Sequence, residues 1–289
     1  MTYLRMMRPA NMVTSVADVL AGIAISGFFI NLTGEYLPVI LLCLSTIGLY
    51  GGGIVFNDVF DAELDRIERP ERAIPSGTIS IREALILGSI LLLTGIIIAL
   101  CFSILSGLIA LLIAVFALIY DKFGKHHSFL GPLNMGICRG LNLLLGMSIL
   151  PAVAGQWYFL GIVPLIYIFS ITMISHGEVH GGNRKSLYTA SLLYLIVMSF
   201  ILYFSFIKGQ LLYTLIFIVP FAWMIFNPLI NAIQAPDGQN IGKAVKAGVI
   251  SLILMDAAWA AAFGSLYVAL LIGCLLPISL WLAKRFAVT

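Results

Sequence analysis

The sequence predicts an all-α, polytopic membrane protein, a bundle of nine to ten transmembrane helices. Three observations predict it. First, 61% of the 289 residues are hydrophobic and 10% are charged, with a mean hydropathy of +1.07. Soluble domains carry about 45–50% apolar and about 25% charged residues, and a globule of this size must show water a large outer face. Second, apolar runs repeatedly reach the ~20 residues that a helix needs to cross a bilayer. Third, those runs almost lack period-two alternation, which argues against a barrel. A cytosolic enzyme, a nucleic-acid binder and a disordered chain are excluded.

The spans read, in order, 12–30, 36–56, 84–103, 105–120, 131–150, 157–175, 188–206, 210–230, 244–263 and 265–283. The long stretch 84–120 is split between Ser103 and Gly107, and 244–283 near Gly264. The first span follows a basic flank, Arg5 and Arg8, is of full length and shows no cleavage site, so it reads as a span and not as a removed signal. The whole of 1–289 reads as one domain. Cys43, Cys101, Cys138 and Cys274 lie in apolar runs without metal-ligand spacing.

Charge placement gives the sidedness. Fourteen of the sixteen lysines and arginines fall on the side of the N-terminus, Lys208 falls on the other, and Arg139 sits inside a span. By the positive-inside bias, the N-terminus and the long polar connections 57–83 and 176–187 are cytoplasmic. Any active site is expected to open there.

The most informative segment follows the second span: Asn57-Asp58-Val59-Phe60-Asp61-Ala62-Glu63-Leu64-Asp65-Arg66. On a helix, Asp58, Asp61 and Asp65 share one face. Like charges so placed repel unless a cation lies among them. Hard carboxylate oxygens suit Mg²⁺, which keeps several waters and shares its sites with substrate phosphates. Arg66, Arg69 and Arg72 follow at once and can hold phosphate oxygens.

This segment resembles the first aspartate-rich motif of the UbiA family of intramembrane prenyltransferases. Arg69-Pro70-Glu71-Arg72-Ala73-Ile74-Pro75-Ser76-Gly77 resembles the continuation of that motif. Arg8-Pro9 with Asn11 is similar to the entry of the family's first helix, Tyr120 with Lys125 to its tyrosine–lysine element, and Asn134 with Gly136 and Arg139 to its fifth span. The resemblance implies a helical bundle around a central cavity open laterally to lipid. It also implies Mg²⁺-dependent transfer of an isoprenyl group from a prenyl diphosphate to an aromatic or hydroxyl-bearing acceptor. The implied catalytic and metal-binding carboxylates are Asp58, Asp61, Asp65 and Glu178. The implied diphosphate contacts are Asn11, Asn57, Arg66, Arg72, Tyr120, Lys125, Asn134, Arg139, His176, His180 and Asn183. The expected partners are the prenyl diphosphate lipid, the acceptor and the bilayer; nothing points to nucleic acid or to a protein partner.

The family's second aspartate motif is reduced here to Ser175-His176-Gly177-Glu178-Val179-His180-Gly181-Gly182-Asn183, with Glu178 its one carboxylate. Three readings are open: a weak second Mg²⁺ on Glu178 and Asn183, another metal on the histidines, or binding of a phosphorylated lipid without cleavage. That last reading extends to a transport protein for an isoprenoid or related amphiphile. This run and the C-terminal Ser279 to Thr289 resemble the UbiA-like EboC subgroup. Within the bilayer Arg139 needs an acidic partner, Asp18 or Asp256. Phe56 and Tyr120 are candidates to line a prenyl tunnel.

Overall fold

The computed structural model describes residues 2–29, 36–124, 127–178 and 181–286. Among them every regular element is helical. The chain enters through α1 (Thr2–Met6) and α2 (Pro9–Ile25), and continues through α3 (Leu37–Phe60) into the short α4 (Ala62–Glu68). A loop leads to α5 (Ile81–Phe102), α6 (Ile104–Ile119), a π-helical turn at Tyr120–Gly124, and α7 (Leu130–Met147). Next come α8 (Pro151–Trp157), α9 (Ile162–Ser175), α10 (Arg184–Ile207), α11 (Leu211–Gln234) and α12 (Gly238–Ala262). The chain closes with α13 (Leu266–Gly273) and α14 (Leu275–Arg285).

Among the described residues, eight helical segments are long and apolar enough to cross a membrane, against nine to ten expected. Two expected spans fall outside that set for physical reasons. Helix α2 has only 17 residues, and α7 carries Asn134, Arg139 and Asn142. Both turn their polar groups to protein, where a polar side chain at membrane depth can find a partner.

Local chemistry explains the boundaries. Ser80 and Glu83 open α5 with a capping box: Ser80 Oγ accepts from the Glu83 N–H at 3.2 Å, and Glu83 Oε2 accepts from the Ser80 N–H at 2.8 Å. Ser103 adopts an extended backbone between α5 and α6 and its hydroxyl accepts from Ser106 N–H, which divides the stretch 84–120. Gly264 divides the last long stretch with φ +85°, a conformation that side chains rarely tolerate.

Helix α12 is the axis of the bundle. Its spanning window is 83% buried, against 22% for α5, whose face is left to lipid. It packs against α2, α9 and α11. The α2–α7 seam is a backbone contact. A methyl group on Gly22 would meet the Leu143 carbonyl oxygen at 2.2 Å, and one on Gly146 the Val19 carbonyl oxygen at 2.2 Å. Small residues permit this approach and the packing it brings. Gly22→Leu is therefore expected to destabilise the protein by about 1–3 kcal/mol, the usual range for overpacking. An unchanged thermal midpoint in detergent would contradict the seam.

Candidate active site

The conserved geometry of a helix places the acids of the 57–65 segment together, but the structure divides their work. Helix α3 ends at Phe60 and α4 starts at Ala62, and helical hydrogen bonds from Asp61 N–H to Asn57 and from Asp65 N–H to Asp61 carry the turn across. A cavity of ≈ 460 Å³ opens beside this junction, walled by α2, α3, α6, α7, α9 and α12. Its polar end holds Arg8, Asn57, Asp61, Asp65, Arg69, Arg72, Asp121 and Glu178. Its wall continues through apolar Leu49, Ile54, Ile113, Ala117, Ile168, Ile171, Val245 and Val249.

Arginines interleave with the acids. Arg72 contacts Asp65 at 2.7 Å and Asp58 at 3.5 Å, and Arg8 contacts Asp58 at 3.1 Å. Asp58 is thus held between two guanidinium groups and does not line the cavity. Arg8 has φ 48°, the one positive φ at a non-glycine among the described residues. Such strain is found where surrounding structure holds a residue for a purpose, and here it leaves Arg8 on both the cavity wall and Asp58. Asn57 Nδ2 donates to Asp121 Oδ1 at 3.0 Å, joining α3 to the π-helical turn.

Tyr120 lines the cavity. Asn134 does not; its amide, oriented to satisfy both ends, donates to the Phe116 carbonyl at 2.9 Å and accepts from Tyr120 N–H at 3.2 Å, which pins that turn. Asn11 is buried and lines the wall. Arg66 is exposed and outside the cavity, because it sits on the outer face of α4. His176 and Asn183 line a separate cavity of ≈ 150 Å³, and Asn183 spends its side-chain oxygen capping α10 by accepting from Lys185 N–H at 2.9 Å. Phe56 packs against Gly88 in the α3–α5 contact and not in the cavity. Lys125 and His180 lie outside the described residues.

Deeper along α3 and α7, Arg139 lines the cavity with Thr46, Tyr50 and Asn142. Its guanidinium pairs with Asp18, donates to Thr14 Oγ1 at 2.5 Å and stacks over Tyr50, 5.2 Å from the ring centre. Asn142 Nδ2 donates to the same Asp18 oxygen at 2.9 Å, and Asn142 Oδ1 accepts from Thr46 at 2.6 Å. Of the two acids expected to partner Arg139, packing selects Asp18.

Two participants escaped the sequence reading: Asp121, 4% exposed on the cavity wall, and Arg8 as the partner of Asp58. The signal for Asp121 was present, an acid at the membrane end of an apolar span beside Tyr120. The fit to a divalent cation rests on Glu178. Its Oε1 is buried without a hydrogen-bond partner among the described residues, in a side chain that lines the same cavity as Asp61, Asp65 and Asp121. Among the described residues no three His, Cys, Asp or Glu side chains converge on one point. Mg²⁺ does not require that, since it keeps waters and phosphate oxygens and takes one or two carboxylates. The all-oxygen donor set fits it. Burial pushes the Glu178 carboxyl above the ordinary glutamate range, and the charge of Arg69 opposes the rise.

Comparison with known proteins agrees with this architecture. The model of the UbiA prenyltransferase family matches residues 19–245. A digeranylgeranylglyceryl phosphate synthase of Saccharolobus solfataricus is 32% identical over 175 residues, 60% of this chain and 60% of that protein. One of Methanothrix thermoacetophila is 32% identical over 212 residues, 68% of this chain and 78% of that protein. The match thus spans about three fifths of the length of the Saccharolobus relative. A UbiA homologue of Aeropyrum pernix superposes with a TM-score of 0.68 at 16% identity, covering 86% of this chain and 96% of that one. One of Archaeoglobus fulgidus, bound to GPP and Mg²⁺, superposes with a TM-score of 0.61 at 17% identity, covering 87% and 99%. With residues 19–245 matched, well over half of its length, the chain belongs to the UbiA prenyltransferase family.

Proposed function

We propose that the protein transfers an isoprenyl group from a prenyl diphosphate to a hydroxyl-bearing or aromatic acceptor, with Mg²⁺ as cofactor. The observation that carries this reading is one continuous cavity with acids and arginines at one end and an apolar wall beyond. A diphosphate fits the first and an isoprenyl tail the second. The naming of relatives as digeranylgeranylglyceryl phosphate synthases favours a hydroxyl acceptor on a glyceryl phosphate lipid. The charge bias of the sequence supports a cytoplasmic N-terminus and a site open to that side.

Carboxylates drawn from Asp61, Asp65 and Glu178, one or two to an ion, would hold Mg²⁺, with Asp65 giving up its Arg72 contact to do so, Asp121 and Asn57 beside them, and Asp58 held apart by Arg8 and Arg72. When bound there, the cation neutralises charge on the diphosphate. Arg69 and Arg72 bind the remaining phosphate oxygens. The C–O bond breaks with its electron pair leaving on the diphosphate. Leu49, Ile54, Ile113 and Val249 keep water from the allylic cation, and Tyr120 lines the same space, where an aromatic ring favours positive charge. The acceptor attacks the allylic carbon and gives up its proton to the released diphosphate.

The test is purified protein with Mg²⁺, labelled prenyl diphosphates and a membrane lipid extract, read as diphosphate release and labelled product. Tight donor binding with no release from any donor would favour the binding and transport alternative. Glu178 adds a pH signature. Its neutral form is favoured by burial, so it keeps its proton to a higher pH than an ordinary glutamate. A bound cation needs the carboxylate, so Mg²⁺ affinity is expected to fall as pH drops through that raised value. Glu178→Gln is expected to weaken Mg²⁺ binding and flatten this acid limb in a calorimetric titration; an unchanged limb would remove Glu178 from the metal site.

A further inference from the structure

Along α3 the cavity wall runs from Asp61 and Asn57 through Gly53 and Tyr50 to Thr46. At about 1.5 Å per residue, Gly53 lies about 6 Å below Asn57 and about 12 Å below Asp61. A tail leaving a diphosphate at the polar end meets this level first.

Glycine is a poor residue inside a helix, so its presence in mid-span asks for a reason. Two neighbours have one. A methyl group on Gly48 would strike the Leu91 carbonyl oxygen at 2.8 Å, and one on Gly52 the Leu92 side chain at 2.8 Å, so both serve the close approach of α5. Gly53 is different. A methyl group there would meet only the Cβ of Ala117 on α6, at 3.5 Å, an ordinary contact. Its backbone is helical, so no left-handed conformation requires glycine either. Both Gly53 and Ala117 line the cavity. What the missing side chain leaves is space inside the cavity, one turn from its polar end.

We propose that Gly53 and Ala117 form one side of a constriction that sets which prenyl tails the site accepts. This rests on reading the cavity as the donor site. An isoprenoid chain passes over these two adjoining small residues beyond its first unit, and side-chain bulk at either position would project from the wall into its path. A dimethylallyl group ends near this level, whereas a geranylgeranyl chain must pass through.

The experiment compares wild-type protein, Gly53→Ala, Gly53→Leu and Ala117→Leu with dimethylallyl, geranyl and geranylgeranyl diphosphates. Gly53→Ala is expected to shift donor preference in the same direction as Gly53→Leu but by less. Gly53→Leu is expected to lower kcat/KM for the geranylgeranyl donor at least about tenfold relative to the dimethylallyl donor, within the range that extra carbon in an apolar pocket commands. Ala117→Leu, from the opposite helix, is expected to repeat the pattern. Equal loss on all donors, or no change on any, would overturn the constriction. Failure of both leucine variants to fold would overturn it as well, because open space accommodates them. Absence of turnover in the wild type with every donor would instead overturn the donor-site reading itself.

Discussion

Asp61→Ala is expected to reduce diphosphate release by about 10²–10³-fold, the scale of losing one preorganised electrostatic partner of a developing charge. Three features single out this residue. It sits on the cavity wall at the α3–α4 junction, one turn from Asn57 and one from Asp65. Asp58, by contrast, is held off the cavity wall by Arg8 and Arg72. Its backbone hydrogen bonds to Asn57 and from Asp65 survive the substitution, so the fold should hold. The thermal midpoint is therefore expected to stay near wild type while turnover falls. Asp58→Ala makes the contrast, since it strips Arg8 and Arg72 of a shared partner and should cost stability as well as activity. Release that persists in Asp61→Ala would sink the metal-site assignment.

Arg139→Leu is expected to destabilise the protein by about 3–5 kcal/mol, the usual result of leaving one partner of a buried pair alone. Asp18 is fully buried and receives both Arg139 and Asn142. Without the guanidinium its charge stands in a nearly water-free seam, and Thr14 loses its donor. Replacing both members, Arg139→Leu with Asp18→Leu, is expected to recover most of the loss, because an apolar pair of similar volume is often neutral or better. Donor turnover should stay low in the double variant, since Arg139 also lines the cavity. Detergent-titration unfolding of the two single variants and the double variant checks the stability part. An additive result would show that the two residues act independently.

How far these features were legible depends on how far apart in the chain their parts lie. The acidic face of 58–65 was readable because helical spacing alone brings its members together. The breaks at Ser103 and Gly264 were readable from local chemistry. The partner of Asp58 was not, because Arg8 stands fifty residues away and reaches it through a strained turn. Asp121 is sixty-four residues from Asn57 and joins it only when α6 packs on α3. Arg139 had to have an acid, but Asp18 and Asp256 satisfied that rule equally until packing chose between them. His176 and Asn183 were implied by the resemblance to the second motif, and the end of α9 and the cap of α10 place them in the lining of a different hollow.

The Arg139–Asp18 pair also bears on biosynthesis. Helix α2 emerges from the ribosome early and carries an acid, and α7 emerges 121 residues after it and carries the matching cation. Alone at the centre of a lipid bilayer, each charge costs about 2.5–3.5 kcal/mol on insertion scales. Neither segment is among those long and apolar enough to settle by themselves. Helix α2 is therefore expected to wait, at the insertion machinery or at the membrane surface, for α7, which is made much later. The electrostatic bond that closes the cavity floor in the finished protein thus acts during synthesis as a clasp that sets the order of assembly.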